Sequence, residues 1–204
     1  TVSTIIMKKI FLLALFFISF TFGFSQSFMH GAGAGVFVAK ASNADANAAF
    51  VLTYSPRVNF VETEALSVSI GIPFSVGFSG SYNYDYNSYY GGSETNTLNF
   101  MFNAPAIINL NVGAGSTKEN EKRFGFFVGG GFGYHYGTYA QKYIDGDYIS
   151  YEEKYGGSYG PAGNIGLRFA VGSHQKNIEA RLSYMKAISE SKTAVYGIAA
   201  LFNF

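Results

Sequence analysis

The stretch FVGGGFGYHYGTY, from Phe127 to Tyr139, decides the fold. A run of glycines can be a loop whose bare backbone cradles a phosphate, or a strand that glycine keeps flat on one side. Successive side chains of a strand point to opposite faces, so parity separates the two readings. The odd positions are Phe127, Gly129, Gly131, Gly133, His135 and Gly137, and the even ones are Val128, Gly130, Phe132, Tyr134, Tyr136 and Thr138. Glycine falls mostly on one face and the aromatic residues on the other. A dinucleotide-binding fingerprint would need a preceding strand, a following amphipathic helix and a later acidic residue. No such helix follows, and the same argument covers Gly31-Ala32-Gly33-Ala34-Gly35. Both stretches are strands.

The same period of two governs the chain on either side. Leu66, Val68, Ile70, Ile72, Phe74, Val76 and Phe78 oppose Ser67, Ser69, Gly71, Pro73, Ser75, Gly77 and Ser79. Phe50, Leu52, Tyr54, Pro56, Val58 and Phe60 oppose Ala49, Val51, Thr53, Ser55, Arg57 and Asn59. Phe100, Phe102, Ala106, Ile108 and Leu110 oppose Asn99, Asn103, Asn109 and Asn111. The pattern predicts eight strands, over about 28–39, 48–60, 66–82, 97–112, 123–138, 159–171, 177–187 and 193–204. An even number puts both chain ends on one side. The connections 40–47, 83–96, 139–158 and 188–192 then share the far side, and 61–65, 113–122 and 172–176 share the near side. The two longest fall together on the far side, as the extracellular loops of an outer-membrane barrel do.

Only 13% of the 204 residues are charged and 18% are aromatic, with 21 Phe, 16 Tyr and no Trp. A soluble domain carries nearer a quarter charged residues, so this surface meets something apolar. The net charge of +1 gives nucleic acid no electrostatic hold. The absence of cysteine excludes disulfides, thiolate metal sites and a lipid-modified N-terminal cysteine. Lys8-Lys9, the apolar run Ile10 to Phe24, and Ser25 before Gln26 compose a Sec signal peptide over residues 1–25. The run is shorter than the roughly 20 residues of a spanning helix. Residues 1–6 stand ahead of Met7 and are compatible with a start at that methionine. Residues 26–204 are expected to form one barrel, with no periplasmic domain.

Amphipathicity alone does not say which face points inward. A soluble ligand-binding barrel is apolar inside. The lumen of an eight-stranded barrel admits Gly, Ser, Thr and Asn, whereas Phe, Leu, Ile and Tyr on every strand would overfill it. The large residues therefore belong in lipid. Tyr82, Tyr84, Tyr134 and Tyr136 at the far strand ends suit an interfacial girdle. The last strand reads VYGIAALFNF, Val195 to Phe204, with Tyr196, Ile198, Phe202 and Phe204 on one parity. This resembles the terminal β-signal of bacterial outer-membrane barrels, departing from it at Ala199, where that pattern prefers glycine. The resemblance implies recognition of Tyr196, Ile198, Phe202 and Phe204 by the barrel-assembly machinery. The mature chain as a whole resembles the small eight-stranded outer-membrane barrels, a group that includes the outer-membrane protein X and W types and the membrane half of outer-membrane protein A. The expected fold is all-β, an eight-stranded antiparallel up-and-down transmembrane barrel in the outer membrane of a Gram-negative cell.

Under these registers Arg57, Arg123, Arg168, Glu179 and Arg181 point into the lumen near the periplasmic end. Buried charges need partners or water, so they form either a salt-bridged plug or an anion-attracting constriction. Glu179 is expected to bridge Arg181 and a neighbouring arginine, with Glu62 or Glu64 as further balance. On the far side, 82–92 and 139–159 are rich in Tyr, Asn, Ser and Gly. Tyr84, Tyr86, Tyr89, Tyr90, Tyr143 and Tyr148 could form an adaptable recognition surface, or belong to strands that simply extend above the membrane.

Three functions follow. The leading one is a structural or surface-interaction role through the tyrosine-rich loops. The alternative is a narrow pore for small solutes or hydrophobic compounds, since inward glycines empty the lumen. A lipid A-modifying enzyme is a distant third. It would need His135, the histidine near the far end, together with Asp145, Asp147, Ser150 or Ser158, and no spacing implies a triad. The expectation is no enzyme, no cofactor and no metal. The expected partners are outer-membrane lipid and lipopolysaccharide, the assembly machinery, and an extracellular ligand or protein.

Overall fold

The computed structural model describes residues 27–40, 46–87, 91–145, 148–172, 176–189 and 192–204, with side chains described outside 80–98 and 138–154. The expected signal peptide lies outside them. Eleven strand segments form one sheet that closes as eight crossings. β1 (Ser27–Met29) and β2 (Gly31–Lys40) make the first crossing. β3 (Asn47–Tyr54) and β4 (Arg57–Glu62) make the second, split at Ser55-Pro56. β5 (Leu66–Gly71) and β6 (Phe74–Asn87) make the third, split at Ile72-Pro73. Proline has no N–H to give the ladder, so the last two breaks have a local cause. β7 (Gly91–Gly113), β8 (Phe124–Asp145), β9 (Tyr148–Ala170), β10 (Asn177–Lys186) and β11 (Ala194–Asn203) complete the barrel. Every pairing is antiparallel, and β11 returns to β2 from Ala194↔Lys40 to Asn203↔Gly31. Closure leaves no edge in the belt, which the hydrocarbon would penalise.

All eight expected strands are present, but the far ends differ. β6 and β7 stay paired up to Asn87↔Gly91, and β8 and β9 up to Asp145↔Tyr148. The described parts of 83–96 and 139–158, expected as loops, are ladder. Composition turns polar where the strand leaves lipid, not where the strand ends.

The lipid-facing polarity is as expected. Phe50, Leu52, Ile70, Phe74, Phe78, Ile108, Leu182 and Ile198 are exposed, while Ser67, Ser69, Ser75, Asn109 and Asn111 are buried. In water this surface would be one large apolar patch; in a bilayer it is the solvated face. Exposed Phe28, Phe124, Phe169 and Phe204 ring the end with the termini, and Tyr134, Tyr159, Tyr184 and Tyr196 ring the other. Phe124 to Tyr134 covers about 33 Å of strand, or about 25 Å of height at ordinary barrel tilt. That matches the apolar belt.

The interior departs from expectation. Phe37, Val51, Met101, Phe127, Met185 and Val195 are all buried inside. They fit because glycine stands against four of them. A Cβ on Gly197 would lie 2.6 Å from Phe37 Cε1, on Gly166 2.4 Å from Phe127 Cζ, on Gly77 2.5 Å from Val51 Cγ1, and on Gly133 2.8 Å from Met185 Sδ. The inward glycines do not empty the lumen. They are the sockets for its large side chains.

Candidate functional site

Register gathers charge at one level of the lumen. Glu179 of β10 pairs with Arg168 of β9, and Arg181 follows on the same face. Arg57 opens β4 opposite Met29. All four side chains are buried. Glu179 accepts from Arg168 Nε at 2.7 Å and from Arg181 Nε at 2.8 Å, with Arg57 Nη1 3.9 Å away. The expected bridge from Glu179 to Arg181 and a second arginine is present. Arg168 also lies over the Phe127 ring, its Cζ 4.3 Å from the centroid. Arg181 Nη2 donates to Ser55 Oγ at 3.0 Å.

Arg123 does not join them. It precedes β8, is exposed, and lies beside Lys118, Glu121 and Lys176. Its inward assignment extended strand parity one residue past Phe124 to the open end of the ladder, where the Arg123 carbonyl still accepts from Ala170 N at 2.9 Å but the side chain is exposed to solvent. Glu62 does turn toward the cluster's edge, where Ser27 Oγ and Asn59 Nδ2 donate to its Oε1.

The connection after β7 closes the floor. Gly113 and Gly115 take φ of +78° and +67°, the left-handed region that favours glycine, and fold the chain back into the barrel. Ala114, Ser116 and Thr117 are buried there. The infolded carbonyls are caught by the plug. Arg57 Nη2 donates to Gly115 O at 2.6 Å, and Asn59 Nδ2 to Ser116 O at 2.9 Å. Ser67 Oγ donates to Ser116 O, and Arg168 Nη1 to Asn111 Oδ1 at 2.9 Å.

Above the plug the lumen has two sides. Phe37, Ala39, Ala49, Val51, Met101, Met185, Ala187 and Val195 form one apolar cluster. Asn103 of β7, His135 of β8 and Ser158 of β9 stand side by side across the ladder, all buried. Ser158 Oγ donates to the backbone carbonyl of His135, not to its ring. Asp145 and Ser150 are in the β8–β9 hairpin, and Asp147 lies outside the described residues. Tyr84 and Tyr86 belong to β6, Tyr143 to β8 and Tyr148 to β9, whereas Tyr89 and Tyr90 lie outside the described residues. Tyr196, Ile198, Phe202 and Phe204 share the outward face of the final strand.

The crystal structure of Neisserial surface protein A matches this architecture with a TM-score of 0.55 at 14% identity, over 88% of this chain and 98% of that one. The fold is that of the small outer-membrane barrels. The attachment invasion locus protein Ail of Yersinia pestis aligns with a TM-score of 0.48 at 13% identity, over 88% and 98% of the two chains. OprG from Pseudomonas aeruginosa aligns at 0.41 and 12%, over 87% and 95%. No protein-family model matches the chain, and no curated protein matches it in sequence.

In an outer-membrane barrel the short turns face the periplasm and the long connections face outward. By that rule the arginine plug and the infolded turn lie at the end of the short turns, and the β6–β7 and β8–β9 hairpins at the end of the long connections. Sequence reading missed the turn. Its trace is Gly113-Ala114-Gly115-Ser116, a run of small residues that reads the same in an open turn as in an infolded one.

Proposed function

We propose that this outer-membrane barrel is a closed anchor that presents two stiff β-hairpins to an extracellular partner. The observation that carries this reading is the paired ladder beyond the tyrosine girdle. From Tyr134 to Asp145, β8 runs about 36 Å further, paired with β9 to the last residue. The described β7–β8 pairing stops at Met101↔Gly137, so above it the two hairpins part. A ladder already ordered loses little entropy on binding, and tyrosine supplies contact area with few rotors. Tyr84, Tyr86, Tyr143 and Tyr148 sit on these hairpins. The filled lumen favours this reading over a pore. The outward face of β11 is the surface for the assembly machinery, and lipid with lipopolysaccharide surrounds the belt.

Two measurements test the proposal. The refolded chain in a planar bilayer is expected to be silent, and discrete salt-dependent openings would return the pore. In nanodiscs, the full chain is expected to bind on a glycan array, and a version with 83–95 and 140–153 cut back to tight turns is expected to lose binding while staying heat-modifiable. Equal signals from the two forms, or none from the full chain, overturn the surface role as a glycan contact.

A further inference from the structure

We infer that the lumen holds a small monovalent anion, chloride or an ion of its size, seated on Arg181. This goes beyond the surface role and depends on no part of it. Charge, space and donors converge on the same place.

Charge comes first. Arg57, Arg168 and Arg181 face Glu179, three guanidiniums against one carboxylate, all buried. Glu62 is held by Ser27 and Asn59, both of which donate to its Oε1. Arginine does not shed its proton, so the excess positive charge is permanent. Buried charge without a partner is costly, and a mobile counter-ion removes that cost. Arg57 Nε, with no protein acceptor, marks the excess within the plug, outside the cavity's lining, and Arg181 is the member of the cluster that borders the cavity.

Space lies directly beside Arg181. A cavity of about 30 Å³ is bounded there by Thr53, Ser75, Asn103, Asn164 and Ser183. That is room for one or two water-sized bodies, and so for a single small ion. A phosphate or carboxylate ligand is too large. Phe37, Met185 and Val195 close the cavity from the apolar side, and a low dielectric strengthens what the guanidinium can do.

The donors suit an anion. Thr53 Oγ1 and Ser75 Oγ share one hydrogen bond at 2.8 Å, which leaves one of the two hydroxyl protons free to turn inward. Asn103 and Asn164 are buried. Both side chains line the cavity, and each carries an amide Nδ2 that can donate to an anion. No carboxylate lines the cavity. A cation would meet Arg181 at contact, whereas an anion meets a guanidinium, hydroxyls and amide hydrogens.

The experiment uses the refolded barrel in detergent, with thermal unfolding followed by gel mobility and far-ultraviolet circular dichroism. Ionic strength is fixed while chloride, bromide or gluconate is exchanged. For a site of about 10 mM affinity, 300 mM chloride is expected to raise Tm by about 4–8 °C over gluconate, saturably. Asn164→Leu, similar in size and without the donor, leaves the plug untouched and is expected to keep the fold but lose most of the rise. Bromide in crystals of the unaltered chain is expected to give an anomalous peak beside Arg181, a readout that needs no variant. A rise that persists unchanged in Asn164→Leu is a bulk-salt effect and overturns the site. Equal Tm in all three salts, or no bromide in the lumen, overturns it as well.

Discussion

At Gly197 one added carbon would lie 2.6 Å from the Phe37 ring, so the glycine and the phenylalanine are parts of one packing unit. Gly197→Ala is expected to cost about 1–3 kcal/mol by overpacking. Phe37→Leu should relieve part of that cost, giving a coupling between the two changes in a urea-unfolding double-mutant cycle. Strict additivity would separate them. At the plug, Glu179→Gln leaves three guanidiniums facing no carboxylate, and about 3–5 kcal/mol should be lost. A loss under about 1 kcal/mol would mean that water, not Glu179, holds the arginines. On the outer surface Phe74→Arg places a charge in lipid and should cost about 2–4 kcal/mol. Conservative change at the neighbouring inward Ser75 should cost far less. Parity made Phe74 legible as outward, because period two needs no partner strand to be seen. The socket relation between Gly197 and Phe37 was not legible, because it depends on which residues meet across two ladders.

Among the elements, the two outer hairpins carry the clearest expectation. β8 and β9 are paired as far as Asp145↔Tyr148. Their amides should therefore resist hydrogen exchange well past the girdle, up to about residue 140. Free exchange beginning directly beyond Tyr134 would show mobile loops and remove the stiffness on which the surface role rests. The near end of β8 shows the opposite error of reading. Strand parity was carried one residue too far, to Arg123, and the residue turned out exposed in the connection. The far ends misled for a separate reason. Composition reports the solvent around a residue, lipid or water, and only the hydrogen-bond partner reports whether the ladder continues. The infolded turn was hidden for a related reason. Small residues permit a chain to enter the lumen, but what draws it in are Arg57, Asn59 and Ser67, far away in sequence.

For the whole molecule, strand number, closure and polarity follow from alternation, low charge and the terminal aromatic pattern, all readable in one chain. The state of the lumen does not. Eight strands set its width, but whether it is empty depends on how large and small inward residues interlock. The pairing that seals the barrel joins Gly35 to Ala199, the first crossing to the last. Bringing positions so distant together costs about 4–5 kcal/mol of chain entropy. Almost none of that is recovered until the final ten residues dock. Folding is thereby made nearly all-or-none, with a late, slow, non-local step. A chain cut short before Ala194 would carry two raw edges into the bilayer. It would be a substrate for proteolysis, not a smaller version of the same protein.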